Sequence, residues 1–151
     1  MTWPMVALGE VCEVQIGRTP ARAEKAYWDG GTEPWVSISD LSASRVAGTT
    51  KERITERAVR EAGCKRVPAD TVLMSFKLTL GKVAITDRPL YTNEAIAALL
   101  IKRSDKLDPL YLARAIEAHD FSQTGDRAAK GRTLNKRRLC TLQTCRAKAP
   151  I

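Results

Sequence analysis

The chain has 151 residues, 44% hydrophobic and 28% charged, with a formal net charge of +8. That length suits one domain able to bury its own core without disulfides or metal. No apolar run approaches the roughly 20 residues of a membrane-spanning helix, and the start lacks the basic and apolar regions of a secretory signal, so a cytoplasmic protein with no membrane partner is expected.

After a short extended start, Leu8, Val11, Cys12 and Gln15 share a helical face that Gly17 would end. Residues 17–34, with several glycines, prolines and charges, predict a long loop. Trp35, Val36, Ser37, Ile38 and Ser39 alternate apolar with polar, as a half-buried strand does. Residues 54–63 switch to helical spacing, with Thr55 as N-cap, Ala58, Val59 and Ala62 facing inward, and Gly63 at the left-handed C-terminal position. Residues 71–76 and 81–85 predict two strands joined by a tight hairpin, and residues 95–102 another extended segment. Asp108 followed by Pro109 starts a helix whose inner face carries Leu112, Ala115, Ile116 and His119. Asp40 and Asn93 suit turns held by side-chain to backbone bonds. Residues 120–132 predict a polar, glycine-punctuated loop, after which Thr133 caps a short helix. The fold class is α+β, a single domain with a largely antiparallel or barrel-like sheet and flanking helices.

The excess charge is concentrated. Residues 1–126 hold 17 basic and 17 acidic residues, whereas residues 127–151 hold eight basic and no acidic ones. Such a block either neutralises nucleic-acid phosphates or serves as a solubilising tail. Little points to catalysis. The single histidine, His119, falls on an apolar face, and no phosphate-binding glycine loop, dinucleotide fingerprint or Glu-x-Lys nuclease triplet occurs. Cys12, Cys64, Cys140 and Cys145 form no C-x-x-C pair, so they are expected as reduced thiols with no metal site. No catalytic residue, metal or cofactor is therefore expected.

Residues 17–22 (GRTPAR), 27–31 (YWDGG), 34–41 (PWVSISDL), 50–55 (TKERIT), 72–85 (VLMSFKLTLGKVAI), 92–96 (TNEAI) and 131–136 (GRTLNK) together resemble the specificity subunits of type I restriction-modification systems. The number, order and spacing of these blocks carry the resemblance, which spans residues 3–139. It implies a target-recognition domain over residues 1–139 that reads one half of a split site in double-stranded DNA. Methyltransferase and restriction subunits would supply methyl transfer and ATP-dependent cleavage. In such subunits a strand and a long spacer helix follow. Residues 140–151 show neither pattern, so a truncated or divergent tail lacking the spacer helix is expected, and with it the loss of that route to subunit assembly.

Three groups are candidates for DNA contact. Arg18, Thr19 and Arg22 lie in the first loop, where arginine suits bidentate contact to guanine or phosphate, although Thr19 and Pro20 also suit a turn. Lys77, Thr79 and Lys82 flank the hairpin connection, as phosphate contacts or as solvated side chains. Lys130, Arg132, Asn135, Lys136 and Arg137 combine loop, helix N-terminus and charge, and Asn135 can pair with adenine. Tyr27, Trp28 and Trp35 are expected as core and loop anchors rather than base-stacking platforms. The alternatives are a non-catalytic protein-interaction or decoy module and an inactive fragment of a disrupted specificity subunit.

Overall fold

A computed structural model describes residues 5–77, 79–103, 107–118, 126–128, 131–133 and 143–145. Strand β1 (Met5–Ala7) leads into one helical turn, α1 (Leu8–Val11), and strand β2 (Cys12–Ile16). A 3-10 turn at Lys25–Tyr27 interrupts the loop before β3 (Glu33–Val36), α2 (Ile38–Ala43), β4 (Val46–Ala47), β5 (Glu52–Ile54) and α3 (Glu56–Glu61). There follow β6 (Val72–Ser75), β7 (Val83–Thr86), β8 (Tyr91–Thr92), β9 (Ile96–Ile101), α4 (Pro109–Ala118), β10 (Asp126–Ala128), β11 (Gly131–Thr133) and β12 (Gln143–Cys145).

The main sheet has strand order β2-β9-β6-β7-β4, and a smaller one has order β5-β3-β8. All contacts are antiparallel in the main sheet except β4 with β7, and β3 runs parallel to β8 in the smaller one. The α+β class with a largely antiparallel sheet is thus as expected, but the main sheet is open, with β2 and β4 at its edges, and not a closed barrel.

Strand β9 explains why this sheet is central. Successive side chains point to opposite faces, and a strand covered on both faces is apolar throughout rather than alternating. Ala97 and Leu99 join Val72, Met74 and Val83 on one face, packed against Leu112, Ala113 and Ile116 of α4. Ile96 and Ala98 join Leu73 and Ala84 on the other, packed against Val36, Leu41 and Leu90. Ile96, Leu99, Leu73 and Leu112 are fully enclosed, and each such side chain contributes about 1.5–3 kcal/mol. A third cluster, Trp35, Ile54, Ala58, Cys64 and Tyr91, ties the smaller sheet to α3, with Tyr27 and Trp28 packed against it.

The helix starts follow local capping chemistry. Thr55 accepts a hydrogen bond from the Ala58 amide at 3.2 Å, and the Asp108 carboxylate accepts one from the Tyr111 amide at 3.1 Å. Gly63 closes α3 with φ of +67°. On α4, Ala113 is buried and Ala115 only partly so; His119 lies outside the described residues.

Four expectations are corrected. The helical face of residues 8–15 stops at Val11, because Cys12 and Val14 alternate with Glu13 and pair with β9, whose ladder outweighs a weak helical spacing. The strand at Trp35 ends at Val36, and Ser37 begins a helix instead. The Asp40 carboxylate accepts from the Ser37 amide at 2.9 Å and from its hydroxyl at 3.0 Å, while Ile38 and Leu41 face inward at helical spacing. The polar loop over 120–132 contains the two-stranded pairing of β10 with β11, and residues 143–145, where no strand pattern was expected, pair with β1. The short helix expected after Thr133 falls outside the described residues.

Candidate nucleic-acid interface

The antiparallel register decides which loops meet. Ala97 of β9 lies opposite both Ile16 and Met74, and Met74 lies opposite Val83. The chain therefore leaves β2, enters β9 and turns from β6 into β7 at the same end of the main sheet. Residues 17–22, 93–95, 76–77 and 79–82 share that end, although they are far apart in sequence.

Backbone hydrogen bonds lock the three segments together. The Gly17 amide donates to Ile96 O at 3.3 Å, the Arg18 amide to Thr92 O at 2.9 Å and the Phe76 amide to Ala95 O at 3.0 Å. A Cβ on Gly17 would fall inside contact distance of Thr92 O, Thr92 Oγ1 and Asn93 O, so only glycine allows this approach. The Asn93 side chain accepts from the Ala95 amide at 3.0 Å, the local turn expected of it.

Within the first loop the candidates differ. Arg18 is exposed while its carbonyl accepts from Trp35 Nε1 at 3.0 Å. The Thr19 hydroxyl donates to the Glu94 carboxylate. Arg22 donates to both carboxylate oxygens of Glu52, the longer bond being 3.2 Å. Its guanidinium carbon lies 4.1 Å from the Trp28 ring centroid and 5.1 Å from that of Trp35. The two indoles meet edge to face at 5.1 Å, and Trp28 Nε1 donates to Ala21 O at 3.2 Å. Arg22 thus braces the loop from its exposed side, and the tryptophans act as the anchors expected of them. Glu52 and Glu94 were not among the candidates; they lie 30 and 75 residues from their partners, and no local pattern in the sequence links them.

At the hairpin, Ser75 and Lys82 close the turn. The Ser75 amide donates to Lys82 O at 2.9 Å, and the Lys82 amide donates to Ser75 Oγ at 3.0 Å. Gly81, at φ of +81°, makes the turn possible and donates to Ser75 O at 3.1 Å. Thr79 and Lys82 are exposed, and Lys77 Nζ sits 5.4 Å from the Phe76 ring centroid. Lys82 borders an open cavity of about 520 Å³ with Ser42, Ser44 and Arg45, whose guanidinium is 3.5 Å from Glu117.

In the basic C-terminal block, Arg132 stands in β11 opposite Arg127. Lys130, Asn135, Lys136 and Arg137 lie outside the described residues. Beneath the first loop, burial pushes the Cys64 thiol up in pKa, opposed by the charge of Arg18. Burial likewise raises the Tyr91 phenol, with Glu33 adding and Arg66 opposing. Among the described residues no cluster of histidine, cysteine or acidic side chains suits a metal ion, and no helix is long and apolar enough to cross a membrane.

The structure resembles the crystal structure of the HsdS subunit from Thermoanaerobacter tengcongensis, with a TM-score of 0.69 at 20% identity over 97% of this chain and 33% of that one. It also resembles the type I restriction-modification S subunit from M. genitalium, with a TM-score of 0.65 at 10% identity over 95% of this chain and 34% of that one. In sequence the chain is 32% identical over 111 residues to the type I restriction enzyme MjaIX specificity subunit of Methanocaldococcus jannaschii, covering 72% of this chain. It is 30% identical over 98 residues to the EcoprrI specificity subunit of Escherichia coli, covering 64% of this chain. The chain spans only 26% and 24% of the length of these two relatives. The profile of the type I restriction modification DNA specificity domain matches residues 1–139, and the chain belongs to that family.

Proposed function

We propose that residues 1–139 form a target-recognition domain that reads one half of a split double-stranded DNA site as part of a type I specificity subunit. The observation that carries this is the gathering of the first loop and the β6-β7 turn at one end of the main sheet, where a rigid scaffold presents Arg18, Thr79 and Lys82 at the surface. The C-terminal block supports it through its composition, eight basic and no acidic residues over 127–151, which suits an anionic partner.

In this reading Arg18, Lys77, Thr79, Lys82, Lys130, Arg132, Asn135, Lys136 and Arg137 supply the DNA contacts, while Thr19 and Arg22 shape the first loop. Phosphate contacts fix the register, and base-edge contacts give sequence preference. The domain is non-catalytic and needs no cofactor. Methyltransferase and restriction subunits of a type I system are its partners, in the cytoplasm, and residues 143–145 return to pair with β1.

Selection of bound duplexes from a random-sequence pool tests the proposal. Enrichment of one short motif is expected, with log affinity falling against log salt at a slope of roughly −5 if about six phosphates are neutralised. No enrichment by a chain that melts cooperatively would refute it and favour a protein-interaction module; no enrichment and no cooperative melt would indicate an inactive fragment.

A further inference from the structure

Beside the first loop, the segment after α3 brings two further cations into play. Lys65 and Arg66 are exposed, and Gln15 Nε2 holds the Arg66 carbonyl at 3.2 Å, fixing this segment against β2. The Arg18 side chain reaches towards the same place: its Nη1 lies 3.7 Å from the point where a side chain on Gly63 would begin. The charge of Arg18 acts on Cys64, that of Arg66 acts on Tyr91, and Cys64 and Tyr91 pack in one buried cluster. The two cations therefore border one buried pair, with Lys65 between Cys64 and Arg66 in the chain.

Among the described residues no carboxylate lies within ion-pair distance of Arg18, Lys65 or Arg66, whereas Arg22, Arg45, Arg57 and Arg88 are each paired. Glu33 and Glu56, the acids that act on Tyr91, form no ion pair with them. Like charges gathered without counter-charges repel one another, and an anionic ligand relieves that repulsion.

We infer that Arg18, Lys65 and Arg66 form one phosphate-binding surface that grips the DNA backbone beside the first loop, an inference that rests on the DNA-reading function proposed above. The ligand chemistry is a run of phosphodiesters. Neither Lys65 nor Arg66 stands in a block that resembles the family, so their placement comes from the fold alone. The backbone of Arg18 is already fixed by Thr92 and Trp35, which leaves the guanidinium rather than the loop to adapt.

The test compares R18Q, K65Q and R66Q with R88Q, which removes the same charge from a residue paired with Asp87. Affinity is measured for the selected duplex and for an unrelated duplex across a salt series. Each of the three substitutions should make the salt slope shallower by about 0.9 and weaken both duplexes by the same factor, because phosphate contacts carry no sequence information. R88Q should leave the slope unchanged. If the parent chain binds DNA and all three variants keep its slope, the surface is refuted while the DNA-reading function stands. A parent chain that binds no duplex at any salt would overturn both.

Discussion

Replacing Gly17 with alanine tests the junction on which the interface depends. The new methyl would meet Thr92 O, Thr92 Oγ1 and Asn93 O, two of which are main-chain atoms that cannot rotate away. Nor can β8 recede freely, because Thr92 is 2% exposed and the Asn93 amide is bonded to Val36 O at 3.1 Å. The loop must lift instead, opening the bonds from Gly17 to Ile96 and from Arg18 to Thr92. Two net hydrogen bonds at about 1 kcal/mol each and an overpacking cost of about 1 kcal/mol oppose the mutation. Reduced freedom of the unfolded chain returns about 0.4–1 kcal/mol. The net loss is about 2 kcal/mol, which lowers Tm by roughly 4–8 °C for a chain of this size. Thermal unfolding followed by circular dichroism measures it. Gly30 provides the contrast: its φ is +73° but nothing lies within 4 Å of its missing side chain. Alanine there costs about 1–2 kcal/mol through backbone conformation alone, and asparagine, which tolerates the left-handed region, should recover most of it. Serine at Gly17 should recover nothing. A Gly17→Ala chain that melts at or above the parent temperature would refute the close-approach argument.

Trp35→Phe keeps most of the apolar volume but removes the donor to Arg18 O, and should cost about 1–2 kcal/mol and increase protease cleavage within residues 17–22. A double-mutant cycle of Arg22→Ala with Glu52→Ala should give a coupling of no more than about 1 kcal/mol by chemical denaturation, since both side chains are substantially exposed. Cys12, whose thiol burial pushes up to about 12 against the opposing charge of Lys102, should resist thiol reagents in the native chain and react after unfolding. Its folded pKa is raised, so its contribution to stability is complete below the unfolded value near 9 and is lost as pH rises towards about 12, by up to about 1.4 kcal/mol per pH unit. The difference in Tm between the parent chain and Cys12→Ala, followed from pH 8 upward, should shrink along that window, and a constant difference would exclude this linkage.

Where a structural choice rests on neighbours within a few residues, the sequence determined it. Thr55 and Asp108 mark helix starts because each cap needs only an amide three residues away, and Gly63 marks an end because its φ is a property of one residue. The uninterrupted apolar run of β9 likewise identifies a strand covered on both faces. The capping box of Ser37 and Asp40 was equally local, but the alternation of residues 35–39 fits a strand just as well, and packing of Leu41 against the main sheet decided for the helix. Cys12 turned from helix to strand for a long-range reason, its pairing with Ile101. At the interface the sequence identified the basic loops but not their internal commitments. Arg22 looked as available as Arg18 until the fold brought Glu52, Trp28 and Trp35 around it, and Lys65 and Arg66 joined Arg18 only because β2, β8 and the end of α3 converge. Charge and capping are written into single residues and short spacings; which cation is neutralised and which faces solvent depends on contacts between distant segments, and those exist only in the folded chain.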